Sequence, residues 1–281
     1  MSKKVYELIT QKIIEKLEKG VIPWKQPFSN YRAVNWRTQR PYRGINVLLL
    51  EPGEYATFKQ IKESGGKVKK GEKSHIVVFW RLLEKEKTND EGETEITKIP
   101  LLRYYRVFEI NTQCEGLKSK RKIIEHEHDP IQEAEEILSN FEDCPRITNR
   151  PVGAWYKPKI DLVNVPDKKE FISIHEYYST LFHELIHSTG HESRLNRDGV
   201  VNVNKFGSED YSKEELVAEI GASMLCGVAG IENETIDNSA SYIQSWLRML
   251  KNDHTLIVKA SQQAQKACDY ILHGKKYESE N

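Results

Sequence analysis

His183 and His187 stand one helical turn apart in His183-Glu184-Leu185-Ile186-His187, and no other feature constrains the chain as tightly. On an α-helix that spacing puts both imidazoles on one face, where two ring nitrogens can share a single metal ion. Glu184 follows the first histidine directly and projects beside the pair, placed to take a proton from ion-bound water. The flanking residues, 171–190, carry the apolar period of a helix that opens near His175 and stops at Gly190. Buried helices with merely hydrogen-bonded histidines also show this short pattern. The rest of the chain must therefore supply a third ligand and a cleft.

A catalytic zinc site takes three protein ligands and leaves a position for water. Glu215 and Glu219, one turn apart in Glu215-Leu216-Val217-Ala218-Glu219, offer two carboxylates downstream. We read Glu215 as the third ligand. Glu219 then sits behind it and accepts a hydrogen bond from a liganding histidine. Glu219 itself and His191 are the competing ligands. Gly190 separates His191 from the helix, and Ser193 occupies the place of the third histidine in the longer zinc signature. The plain structural reading of Glu215 is a capping box with Ser212, opening a helix that runs to about Leu225. With His183, His187 and Glu215 around Zn2+ (or another divalent ion such as Mn2+), Glu184 is the general base of a hydrolysis. Tyr156, Tyr178 and Tyr211 are candidates for stabilising the oxyanion, and spacing does not choose among them.

The net charge of zero conceals two unlike halves. Residues 1–120 hold 24 Lys and Arg against 15 Asp and Glu, which leaves 18 against 27 for residues 121–281. A basic half beside an acidic one suggests a polyanion-binding module joined to something with different work. A length of 281 residues suits two domains, and we set them at 1–120 and 130–281 with a polar linker at 121–129. Four cysteines scattered singly argue against a disulfide framework and a thiolate zinc site. No apolar run reaches the ~20 residues that cross a bilayer. We expect a cytoplasmic protein without membrane contact.

Residues 5–17 follow a helical period ended by Gly20, with an apolar face expected on the first domain's core. Within residues 21–50, Trp24, Phe28, Tyr31, Trp36 and Tyr42 interleave with Lys25, Arg32, Arg37, Arg40 and Arg43. Rings that stack on bases beside cations that meet phosphates are what an unpaired nucleic-acid strand needs. The alternative is a small aromatic core with solvated arginines. Lys67, Lys69, Lys70 and Lys73 form a basic turn between a short helix at 57–64 and a strand at 75–81. A charged insert at 83–98, whose tip at 89–92 suggests an exposed hairpin, leads to a second strand at 101–108 that pairs back with the first. The expected architecture is α+β, a small basic domain with a twisted antiparallel sheet. His126 and His128 fall in the linker, where histidines are usually solvated. The second domain reads as mostly helical, with helices at 130–140, 238–250 and 255–273. Its short strands at 154–156 and 161–165 could offer an edge to a peptide.

Both halves resemble one family. YELITQKIIEKLEKGVIPWKQPF, RPYRGINVLLL, TFKQIKESGGKVKKGEKSHIVVFW and VFEINTQCEGL are similar to the N-terminal single-stranded-DNA-binding domain of ArdC-type antirestriction proteins, also found in TraC-type plasmid primases. AWYKPKIDLVNVP, HELIHSTGH and YSKEELVAEIGASML resemble that family's zincin-like metallopeptidase domain. Glu215-x-x-Ala218-Glu219 is similar to the ExxAD pattern of some gluzincins, with Glu in place of Asp. The resemblance implies a protein of mobile elements that binds incoming single-stranded DNA and protects it from restriction. It also implies a peptidase acting on restriction or other DNA-bound proteins, as SprT-like proteases do, or a nonenzymatic protective binder whose metal is structural.

Overall fold

Val5, Ile9, Ile13, Ile14 and Leu17 make one buried face of α1 (Ser2–Glu18). Gly20, at φ 75°, closes that helix in the left-handed conformation that glycine adopts without cost, and Val21 N–H returns to Lys16 O. The computed structural model describes residues 2–25, 33–88, 94–121, 129–202, 209–231 and 240–274. The apolar face of α1 packs on the N-terminal sheet, as the sequence suggested, but not on that sheet alone. It joins a large cluster shared with the C-terminal helices, together with Ile22 and Trp24.

The N-terminal half contains β1 (Val34–Asn35), α2 (Ile45–Leu49), β2 (Glu54–Thr57), α3 (Phe58–Glu63), β3 (Lys67–Val68), β4 (His75–Thr88), β5 (Thr94–Glu109), α4 (Ile110–Gln113) and β6 (Cys114–Glu115). Thr57 caps α3 through a complete capping box with Gln60. One sheet has the order β1-β2-β5-β4, and β3 pairs with β6 in a second. The first sheet is mixed, because β1 runs parallel to β2 while the other pairs are antiparallel. β4 and β5 pair without a break from His75↔Val107 to Thr88↔Thr94, so the expected hairpin forms and its ladder takes in most of the charged insert. Its expected tip lies outside the described residues. β4 is an edge strand, and Asn46 on α2 blunts it by exchanging two hydrogen bonds with the Val78 backbone, at 2.9 and 2.6 Å.

The C-terminal half contains α5 (Pro130–Asn140), β7 (Arg146–Thr148), β8 (Trp155–Lys157), β9 (Leu162–Asn164), α6 (Ile174–Ser188), α7 (Asp198–Val201), α8 (Glu209–Ala229), α9 (Ala240–Asn252) and α10 (Leu256–His273). Its three strands form a small sheet of order β7-β9-β8, which leaves β8 at an edge. α8 is buried on nearly all sides from Leu216 to Cys226, as a helix packed between α6 and α10 must be. It opens at Glu209, so Ser212 lies inside the helix and is not its cap. No helix among the described residues is long and apolar enough to cross a membrane.

Candidate metal centre

Ser173 caps α6 by accepting the Glu176 N–H, and the helix then presents His183 and His187 from the same face. Against that face lies α8, which carries Glu215. The helices approach closely because Gly221 has no side chain. A Cβ there would stand 2.8 Å from Ile186 Cδ1 and 2.9 Å from Ile186 Cγ1. The approach brings three donors together. His183 Nε2 and His187 Nε2 are 3.1 Å apart, and the Glu215 carboxylate oxygens lie 3.4 Å from the first and 3.5 Å from the second. An ion held tetrahedrally at about 2.05 Å from each donor spaces its ligands about 3.3 Å apart. The observed separations fit that requirement, and among the described residues this is the one His/Cys/Asp/Glu group of three that could hold a metal.

The surrounding carboxylates have separate tasks. Glu184 is buried beside the histidines, and its carboxylate accepts the backbone N–H of Tyr156 on β8. Burial pushes its acid up from the usual carboxylate range, against the pull of both imidazoles. For Glu215, burial is outweighed by hydrogen bonds from His183 and His187, which hold it well below that range. Glu214, unremarked in the sequence, accepts from His187 Nδ1 at 3.3 Å. That contact leaves the His187 Nε2 lone pair aimed at the centre. Glu214 is in turn gripped by buried Arg197, whose Nε and Nη2 reach its two oxygens at 3.0 and 2.5 Å. Arg197 also donates to Thr189 Oγ1 and the Ile186 carbonyl, tying the loop after α6 to the ligand helix. A Cβ on Gly190 would strike Val200 Cγ2 at 2.5 Å, so that loop folds back only over glycine. The one local signal for Glu214 was its place beside Glu215, since Arg197 is brought to it by the tertiary fold.

Three expectations are corrected here. Glu219 does not support a histidine: its Oε2 accepts from Trp24 Nε1 at 2.9 Å and from the Tyr242 hydroxyl, and burial pushes it up to about 7. Tyr178 is fully buried, with its hydroxyl donating to Glu135 and accepting from Lys168, so it cannot meet a substrate. The Tyr156 phenol donates to Asp161 at 2.9 Å, and its residue serves the site through the backbone N–H instead. His191 points its Nδ1 at Ser193 and takes no part in the cluster. The Tyr211 side chain, with His126 and His128, lies outside the described residues.

The zincin-like metallopeptidase family matches residues 132–263, and the N-terminal domain of anti-restriction factor ArdC matches residues 3–108. The crystal structure of the antirestriction ArdC protein from the R388 plasmid, metal-free, is 36% identical. It superposes with a TM-score of 0.74 over 97% of this chain and 98% of that one. The chain belongs to the ArdC antirestriction family. The Mn(II)-bound structure of the R388 protein gives 34% identity and a TM-score of 0.74 over 96% of this chain and 97% of that one. The uncharacterized protein y4eC of Sinorhizobium fredii is 30% identical over 95% of this chain and 91% of its own length. Two DNA primases TraC of Escherichia coli are each 32% identical over 96% and 97% of this chain, which spans only 20% and 27% of them.

Within this ArdC-family chain, the residues expected to meet DNA are in part buried, in part paired with other side chains and in part exposed. Trp24 is 0% exposed and packs edge-on against Trp246, with ring centroids 5.9 Å apart. Trp36 is 5% exposed, donates Nε1 to the Lys118 carbonyl at 2.9 Å, and lies under the Lys120 ammonium. Neither ring can stack on a base, and both expectations are corrected. Tyr42 is half-buried against Tyr55, and Lys25 is half-buried. Arg37 pairs with Glu63, Arg43 with Asp269 and Lys67 with Glu115, while Lys69 donates to the Thr112 carbonyl. Arg40, Lys70 and Lys73 are exposed, and Arg32 lies outside the described residues.

Proposed function

We propose that this ArdC-family protein binds single-stranded DNA of a mobile element and hydrolyses peptide bonds in proteins associated with it. His183, His187 and Glu215 hold the divalent ion, Zn2+ or Mn2+. When bound, such an ion polarises a carbonyl and makes its own water a nucleophile near neutral pH. Glu184 takes the proton from that water at its carboxylate, and its raised affinity for a proton suits it to keep the proton and return it to the leaving amine. β8 is an edge strand packed against α6, and an extended peptide can pair with such an edge. The Arg197–Glu214–His187 chain fixes the imidazole that faces the ion.

The observation that carries the reading is the convergence of three donors beside an enclosed carboxylate that is not itself a ligand. A purely structural site has no use for Glu184. The R388 relative was also crystallised metal-free with the same fold, which favours a working ion over a folding one. The test is Glu184→Gln, assayed for proteolysis with and without single-stranded DNA. The variant is expected to bind metal and DNA as wild type does and to lose cleavage. Undiminished cleavage would sink the assignment. A Glu184→Gln protein that protects incoming DNA fully would instead identify a nonenzymatic protective binder.

A further inference from the structure

β5 pairs with β2 only at Val107, Phe108 and Glu109, and before that point it pairs with β4 alone. Across this two-stranded segment, Phe79 stands opposite Arg103, Val78 opposite Tyr104, and Val77 opposite Tyr105. Side chains alternate between the faces of a strand, so Phe79, Arg103 and Tyr105 share one face while Leu102, Tyr104 and Arg106 share the other. The ribbon is anchored through Val78 and Leu102, both buried in the main core. Its outward groups are not buried. Phe79 is 49%, Tyr104 41% and Tyr105 46% exposed, and Arg103 and Arg106 are exposed beside them.

Two open rings, Phe79 and Tyr105, and the Arg103 guanidinium thus crowd onto one face of a short stretch of ladder, with Tyr104 and Arg106 on the other. Residues 75–79 and 102–107 contain no Asp or Glu, and among the described residues neither arginine has a carboxylate partner. Phe79 and Tyr105 are diagonal neighbours about 7–8 Å apart, and Arg103 stands directly opposite Phe79. A duplex hides its base faces and could use only the cations. An unpaired strand uses both chemistries, since any base stacks on a ring and its phosphates meet Arg103.

We propose that the face of the β4–β5 ribbon carrying Phe79, Arg103 and Tyr105 is the surface that holds single-stranded DNA. The proposal rests on the single-strand binding put forward above and gives it a location away from Trp24 and Trp36. Fluorescence anisotropy of a labelled oligothymidylate, with the full-length protein, tests both. Wild type binds it more tightly than duplex. Phe79→Ala/Tyr105→Ala weakens binding roughly tenfold or more with an unchanged melting temperature. Arg103→Gln leaves the rings in place and lowers the slope of log affinity against log salt by about one. Tyr105→Phe, which keeps the ring, binds as wild type does. If wild type binds but the Ala and Gln variants match it, the ribbon is the wrong surface. If wild type shows no preference for single strands, the single-strand reading fails and the ribbon loses its occupant.

Discussion

Glu214 shows how a residue without a role in the chemistry can set it. It holds the proton side of His187 while buried Arg197 holds it. Glu214→Gln keeps an acceptor for Nδ1 but removes the charge, and metal affinity is expected to fall about 10- to 100-fold. Competition with a chromophoric chelator reads that loss. Glu219 supplies a second prediction, in pH. Burial raises its acid to about 7, above the ordinary value in an unfolded chain. The folded state therefore holds the proton more firmly. That stabilisation is complete below the unfolded value of about 4.3 and disappears as pH rises through 7. Glu219→Gln retains an acceptor for Trp24 and Tyr242 and should flatten the fall between pH 5 and 8, on the order of 2 kcal/mol. Chemical denaturation of both proteins across that range checks it. His183, Glu184, His187 and Glu215 were legible in the sequence because helical spacing is a local property. Glu214 and the true partners of Glu219 were not, because Arg197, Trp24 and Tyr242 reach them only through the tertiary fold.

At the scale of elements, the site depends on how closely α6 and α8 pass. Gly221 permits that approach, and a methyl group there would press on the stiff, buried Ile186. Gly221→Ala should cost about 1–3 kcal/mol by overpacking and weaken metal binding as Glu215 moves from the histidine pair. Thermal melting and metal titration of the one variant report both effects. Element types were readable from apolar period, and α3, α5 and α10 fall close to where that period places them. The start of α8 was misplaced because Ser212 and Glu215 imitate a capping box from inside the helix. The β4–β5 strands run further than 75–81 and 101–108, because the charged residues of 83–98 give no apolar signal that would mark them as ladder.

At the scale of the molecule, one core spans the two halves. α1, Trp24, Ile45, Leu48, Val78 and Leu102 pack with the helices that build the metal centre. Composition marked Trp24 and Trp36 as rings beside cations, and no composition distinguishes a ring that stacks on a base from one that fills a core. A fragment of residues 130–281 would expose the surface that α1 and Trp24 cover, and it is expected to melt well below the full chain or to aggregate. Calorimetry of the two proteins decides that point. The central claim is that His183, His187 and Glu215 together hold one divalent ion. Calorimetric titration of the metal-free protein with Zn2+ tests it most directly. Wild type and Glu184→Gln should each take up one equivalent, and Glu215→Ala should lose that binding. Tight uptake undiminished in Glu215→Ala, or none in wild type, would contradict it.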